Sequence, residues 1–304
     1  MARLGESKKL VLLWVNSVLR KNSISMTHLI ARRYGTQIGF TYVGGYPKSG
    51  TTWISQLVAH YLDLPIINPV PPLPLTFKCV IHHHWSYHPA LDHSVYVTRD
   101  GRDVMISLYM NLMKNYIAIR RALAEDGIKP IVKAFVENVG TYNAVSRRFQ
   151  YLFGRGFDPW DLERNLPTFL ESEMEAPFLW AVRQSWPEHV RTWHMKASRT
   201  TFVKYEDMLQ DCTGALASLL AHYLGTEVDQ QEITYTAERY SFARQSGRAP
   251  GIEDRSSFAR KGIQGDWRNY FTPEARQVFE HYAGDLLIEL GYEPDNRWVN
   301  DVSR

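Results

Sequence analysis

The sequence predicts a single three-layer α/β domain, a central parallel sheet with helices on both faces. One observation is alternation: short apolar runs rich in aromatic and β-branched residues are each followed by a helical stretch, the pattern of a parallel sheet covered on both sides. Another is the segment Tyr42-Val-Gly-Gly-Tyr-Pro-Lys-Ser-Gly-Thr-Thr-Trp53, in which such a run passes through a glycine-bounded, hydroxyl-rich loop into a helix. This is a P-loop-like strand, loop and helix. The third is size: 304 residues without a repeat, a low-complexity tract or a clean linker suit one large domain.

Residues 1–38 are expected to form a helical leader packed on the domain that fills 39–304. Within it, Leu10 to Val15 is an apolar run between Lys8-Lys9 and Arg20-Lys21, too short to cross a bilayer. It reads as an amphipathic helix docked on the domain, with a peripheral membrane-surface helix as the alternative. Phe40 to Val43 mark the first strand, and Thr52 to Tyr61 the helix after the loop. Five prolines between Pro65 and Pro74 demand an extended connector, since proline can continue neither a helix nor a central strand. Ser94 to Thr98 is a second buried strand, followed by a helix from Asp103 to Tyr116. Residues 117–180 hold helical pieces broken by Gly127, Pro130, Gly140, the Gly154-Arg-Gly156 turn and Pro159. Thr200 to Lys204 is a third strand, and helices fill 209–225 and 273–290.

The composition is that of a soluble globular protein, 44% hydrophobic and 22% charged. A net charge of +3 is too small to argue for a nucleic-acid partner. Cys79 and Cys212, the two cysteines, form neither a disulfide framework nor a close metal pair, which points to a reducing, cytoplasmic compartment.

The loop is an anion cradle: glycines admit a ligand close to the backbone, and the helix start offers unpaired N–H groups and a positive dipole end. In the nucleotide-triphosphate loop a lysine follows the second glycine. Gly45 and Gly50 match that spacing, but Thr51 stands in the lysine's place and Lys48 lies inside the loop. A second feature is the run His82-His83-His84, with His88 and His93 near it. Neighbours in an extended chain point to opposite faces, so three consecutive histidines cannot share one ion. No carboxylate or cysteine at ligand spacing completes a set, and no metal is expected.

The loop core Tyr46-Pro-Lys-Ser-Gly-Thr-Thr-Trp53 resembles the 5′-phosphosulfate loop of sulfotransferases that use 3′-phosphoadenosine 5′-phosphosulfate (PAPS). Three further segments match that family in order. Val95-Tyr-Val-Thr-Arg-Asp-Gly-Arg-Asp-Val-Met-Ile-Ser107 is similar to its 3′-phosphate segment. Phe202-Val-Lys-Tyr-Glu-Asp-Met208 resembles its strand ending in Tyr-Glu-Asp, and Phe258-Ala-Arg-Lys-Gly-Ile-Gln-Gly-Asp-Trp-Arg-Asn-Tyr-Phe-Thr272 its C-terminal stretch.

The resemblance implies PAPS as co-substrate, with no metal, and a role for each matched residue. Lys48 would sit beside the bridging oxygen, with Ser49, Gly50, Thr51 and Thr52 on the 5′-phosphate and Trp53 against the adenine. Arg99 and Ser107 would hold the 3′-phosphate, and Arg260, Lys261 and Gly262 would close over it. Tyr205, Ser241 and Phe242 would flank the adenine. The expected base is His84, with His83 as competitor, so Lys48, His84 and Ser107 are the catalytic candidates. His82 falls where many relatives carry a basic residue. Arg102 with Asp103 reads as a structural ion pair or helix cap, and Glu206 and Asp207 as structural. Trp186 and Trp193, at helical spacing, read as core.

The acceptor would be a small molecule, a lipid or a carbohydrate, framed by 65–90 and 117–180. There Arg120-Arg121 and Arg147-Arg148 suggest an amphiphilic one. Arg268, Thr272-Pro273 and Gln277 match the family's dimer signature only in part, so the oligomeric state stays open. Two alternatives use the same cradle: a P-loop nucleotide kinase, or a non-catalytic nucleotide-binding protein.

Overall fold

The structure, a computed structural model, describes residues 22–66, 75–124, 140–177, 182–255, 257 and 260–300. Its centre is a sheet of four parallel strands, β1 (Thr41–Gly45), β2 (Val80–His83), β3 (Ser94–Thr98) and β4 (Thr201–Lys204), in the order β2-β1-β3-β4. Tyr42 lies opposite Ile81 on one side and Ser94 on the other, and Val95 lies opposite Thr201. β1 and β3 are buried along their whole length, as expected of central parallel strands. β2 is a strand that the sequence marks only as extended chain, because half of its four residues are histidines and carry little β preference.

The helices are α1 (residues 22–38), α2 (Thr51–Tyr61), α3 (Gly101–Ala124), α4 (Gly140–Phe153), α5 (Leu162–Glu175), α6 (Trp186–Lys196), α7 (Tyr205–Gln210), α8 (Cys212–Leu224), α9 (Gln230–Arg239), α10 (Phe242–Ser246) and α11 (Pro273–Glu289). Strand periodicity assigns each helix to a face. Val43, Val95 and Val97 join Ile54, Leu57 and Val58 of α2 and Leu216 and Leu220 of α8 in one core. Tyr42, Ile81 and Tyr96 turn the other way, toward Ala31 of α1 and Trp193 of α6. Beyond them α3, α5, α6 and α11 enclose a third cluster around Tyr46, Trp186 and Trp267. Both tryptophans of α6 are core residues with no exposed surface.

Several boundaries differ from the sequence expectation. α3 starts two residues before Asp103 and continues to Ala124 instead of stopping at Tyr116. The helix expected over 209–225 is two helices: Asp211 ends α7 and caps α8, accepting from the Gly214 N–H at 2.9 Å. Of the proline connector, Pro65 accepts from Val80 N at 3.0 Å and Ile66 bridges to β2, while 67–74 fall outside the described residues. So do Leu10 to Val15 and residues 125–139 of the acceptor-side segment. Among the described residues no helix is long and apolar enough to cross a membrane.

Candidate functional site

The parallel strands end together at one edge, where the β1–α2 loop meets the β3–α3 turn and the start of α7. Gly50, the residue before α2, has φ 89, and a Cβ there would lie 2.4 Å from the Tyr205 ring. Glycine is therefore required twice, for the left-handed backbone and for the close approach. Lys48 holds φ 73 without being glycine. Its carbonyl accepts from Arg99 Nη1 at 3.0 Å, and Ser49 N donates to the Tyr46 carbonyl at 3.1 Å. The Ser49 hydroxyl and Arg99 Nε are buried with no protein partner. Buried donors at the mouth of a helix N-terminus fit an anionic group.

A single cleft gathers most of the predicted residues. Lys48, Gly50, Thr52 and Trp53 of the β1–α2 segment line it together with Arg99, Ser107, Tyr205, Phe242, Arg260, Lys261 and Gly262. Trp53 is fixed by its indole N–H, which donates to the Tyr240 carbonyl at 2.8 Å. The Arg99 guanidinium lies 4.4 Å over the Tyr205 ring and 3.9 Å from Asp103. Gly262 has φ 62, and a Cβ there would fall 2.4 Å from the Phe242 ring. Arg260 is paired with both Glu253 and Asp266, and Lys261 Nζ donates to Asp266 at 2.6 Å. Lysine and arginine contacts hold the Asp266 carboxyl below its usual range despite its burial.

Four predicted residues do not line the cleft: Ser49, buried in the loop, Thr51, buried at the start of α2, Ser241, just before α10, and the expected base His84. Gln56 and Gln245, joined by a 3.0 Å hydrogen bond, and Tyr240 also line it. No motif marks them, because they meet only through the tertiary fold, far apart in sequence.

The histidine run separates by strand alternation. His82 and His84 turn toward the loop, their rings 4.8 Å apart. His84 donates through Nδ1 to the Gly45 carbonyl at 2.8 Å, which leaves Nε2 as the bare, basic nitrogen. Burial, reinforced by the Lys48 charge, pulls its pKa down to about 4. His82 Nε2 pairs with the Thr51 hydroxyl at 2.8 Å, and burial holds its pKa at about 3. His82 is therefore neutral near pH 7 and supplies no second positive charge. His83, 3% exposed, points the other way: it stacks on Trp85 at 4.8 Å, and its Nδ1 accepts from Trp85 N at 3.2 Å. Lys48 is pulled down to about 8 by burial and by the charges of Arg99, Lys114 and Arg260.

The scaffold beneath is ionic. The sequence pairs Arg102 with Asp103, but Arg102 bonds Asp100 at 2.7 Å and Glu293 at 2.6 Å, between the faces of Trp267 and Trp298. Asp103 instead accepts from Gly265 N at 2.7 Å and Trp267 N at 2.9 Å, tying α3 to the Arg260 loop. Glu206 is structural, accepting from Asp100 N and from the Tyr292 hydroxyl. Arg148, expected on the acceptor side, is bonded to Ser172 of α5.

The sulfotransferase-domain family model matches residues 93–291. Sulfotransferase 1E1 of Cavia porcellus is 25% identical over 259 residues, covering 80% of this chain and 82% of that protein. Sulfotransferase 2B1 of Rattus norvegicus is 27% identical over 158 residues, 48% of this chain and 44% of its own. Among solved structures, mouse sulfotransferase SULT7A1 complexed with PAP superposes with a TM-score of 0.51 at 20% identity, covering 87% of this chain and 89% of that one. Retinol dehydratase in complex with androsterone and PAP gives 0.52 at 20% identity, covering 82% and 80%. These two show the fold. The matched family model spans well over half of the chain, and this protein belongs to the PAPS-dependent sulfotransferase family.

Proposed function

We propose that this protein moves the sulfuryl group of PAPS to a hydroxyl or amine of a small-molecule acceptor, with His84 as base and Lys48 as the leaving-group cation. The observation that carries the reading is the cleft, in which Lys48, Arg99, Arg260 and Lys261 converge with Trp53, Tyr205 and Phe242. Cations suit two phosphates, and the aromatic faces suit a purine. The buried, unpartnered Ser49 hydroxyl and Arg99 Nε fit an anion that would accept from them.

In the step itself, the acceptor oxygen forms a bond to sulfur as the bond from sulfur to the phosphate oxygen breaks. The acceptor proton passes to His84 Nε2, free because Nδ1–H is held by Gly45. Negative charge growing on the departing phosphate oxygen is met by the Lys48 ammonium. PAPS supplies the activated sulfuryl group. Ser107 and Arg99 hold its 3′-phosphate, and Trp53 and Phe242 enclose its base. The chain acts without a resident metal in this reading.

The test is calorimetric titration with adenosine 3′,5′-bisphosphate, against adenosine 5′-monophosphate and ATP–Mg²⁺. Tight binding that needs the 3′-phosphate and no metal is expected. Preference for ATP–Mg²⁺ would move a nucleotide kinase to the front.

A further inference from the structure

The residue that follows His84 is held from α6. The Trp85 carbonyl accepts from His189 Nε2 at 3.1 Å and from Trp193 Nε1 at 3.1 Å. His189 is fully buried, and its Nδ1 pairs with the Tyr96 hydroxyl of β3 at 2.8 Å. The tautomer follows from the partners. Nε2 must carry the hydrogen to donate to a carbonyl, so Nδ1 is bare and the Tyr96 hydroxyl donates to it. The backbone carbonyl of His84 lies beside the same ring. Trp85 N, in turn, donates to His83 Nδ1, so both polar groups of Trp85 are fixed.

We propose that His189 is a positioning residue for the base. Through the Trp85 carbonyl it fixes the chain after His84, so that His84 Nδ1–H stays on the Gly45 carbonyl and Nε2 stays the bare nitrogen. The proposal rests on the assignment of His84 as base. A purely packing role would be met by an apolar side chain, because a buried imidazole carries a desolvation cost unless both nitrogens are bonded. Burial holds the His189 pKa at about 4, so the neutral form that can both donate and accept persists near pH 7. Lys48, His82, His83 and His189 are the titratable neighbours whose charge couples to His84 or whose ring lies against it. Misplacing a catalytic group by about 1 Å can cost on the order of 10²-fold in rate.

The test is ¹⁵N NMR of histidine-labelled protein, with and without adenosine 3′,5′-bisphosphate. A glutamine amide at position 189 can still donate from near the Nε2 position, whereas an asparagine amide falls short of the Trp85 carbonyl. In wild type and His189→Gln, His84 should remain in the Nδ1–H tautomer and titrate below about pH 5. In His189→Asn the tautomers should mix and the midpoint should rise by about one unit or more toward the ordinary histidine value of about 6.5. Nucleotide affinity should change less than about threefold. Unchanged His84 signals in His189→Asn, or equal disturbance in both variants, would overturn the proposal. Tyr96→Phe, which removes only the hydroxyl, serves if His189→Asn fails to fold: His84 signals altered as in the asparagine case support the role, and unaltered ones reject it. A wild type that ignores the bisphosphate would sink the donor reading, while spectra of the nucleotide-free protein would still decide the positioning role.

Discussion

Arg99 Nη1 donates to the carbonyl of Lys48 at 3.0 Å, so the end of β3 fastens the left-handed residue of the β1 loop. One guanidinium thereby links the two parts of the cleft assigned to opposite ends of the same nucleotide. Its Nε is buried with no protein partner.

Arg99→Ala should weaken adenosine 3′,5′-bisphosphate by about 1.5–3 kcal/mol, or roughly 10- to 150-fold, as loss of a charge-assisted contact does. Adenosine 5′-monophosphate should lose less, through the loosened Lys48 carbonyl alone. Calorimetry on both ligands decides it, and equal losses would contradict a 3′-phosphate role.

The residues proposed to hold phosphate are readable because their chemistry is local. A glycine-bounded loop opening a helix, or an arginine closing a strand, announces itself within about ten residues. Long-range partners leave no such mark. Arg102 and Glu293 are 191 positions apart, and the nearer Asp103 looks the better partner in the sequence. Gln56 and Gln245 meet only through helix packing. The histidine register is harder still. A one-residue slip exchanges His83 and His84 between the core and the loop, and the pairing of Gly44 with His83 on the neighbouring strand fixes which one faces Gly45.

Removing the proposed base should separate these two histidines. His84→Ala is expected to lose on the order of 10²–10⁴ in kcat with nucleotide affinity retained. His83→Ala should leave kcat within a few-fold but lower the Tm, because it removes a buried ring stacked on Trp85. Loss of turnover in His83→Ala at unchanged Tm would show that the register is wrong.

Arg102 supports the site without touching it. Its side chain is 1% exposed, between the Asp100 and Glu293 carboxylates, and both acids raise its pKa against the effect of burial. Arg102→Ala would take the guanidinium from between two buried carboxylates, costing about 3–5 kcal/mol. A urea titration of the nucleotide-free protein should show the lowered midpoint. A midpoint equal to wild type would mean that water already reaches the trio.

The pH profile tests the two catalytic groups together. As the proposed base His84 must be neutral, and its pKa of about 4 keeps it so above that pH. As the proposed leaving-group cation Lys48 must be charged, and its value of about 8 means that the free enzyme loses the charge as pH rises through 8. Hence kcat/KM should fall on the acid side near pH 4 and fall about tenfold per unit above pH 8. The alkaline limb of kcat should lie higher, because bound phosphate favours protonated Lys48. In Lys48→Arg the plateau should drop, since a planar fork replaces a point charge, yet the alkaline limb should vanish because guanidinium stays charged. Stability carries the opposite sign. The unfolded chain binds the Lys48 proton more tightly than the fold does, so this residue makes stability rise with pH between about 8 and 10.5. Lys48→Met should raise the Tm of the nucleotide-free protein at pH 7 and flatten that rise. An alkaline limb that survives in Lys48→Arg would assign it to another group.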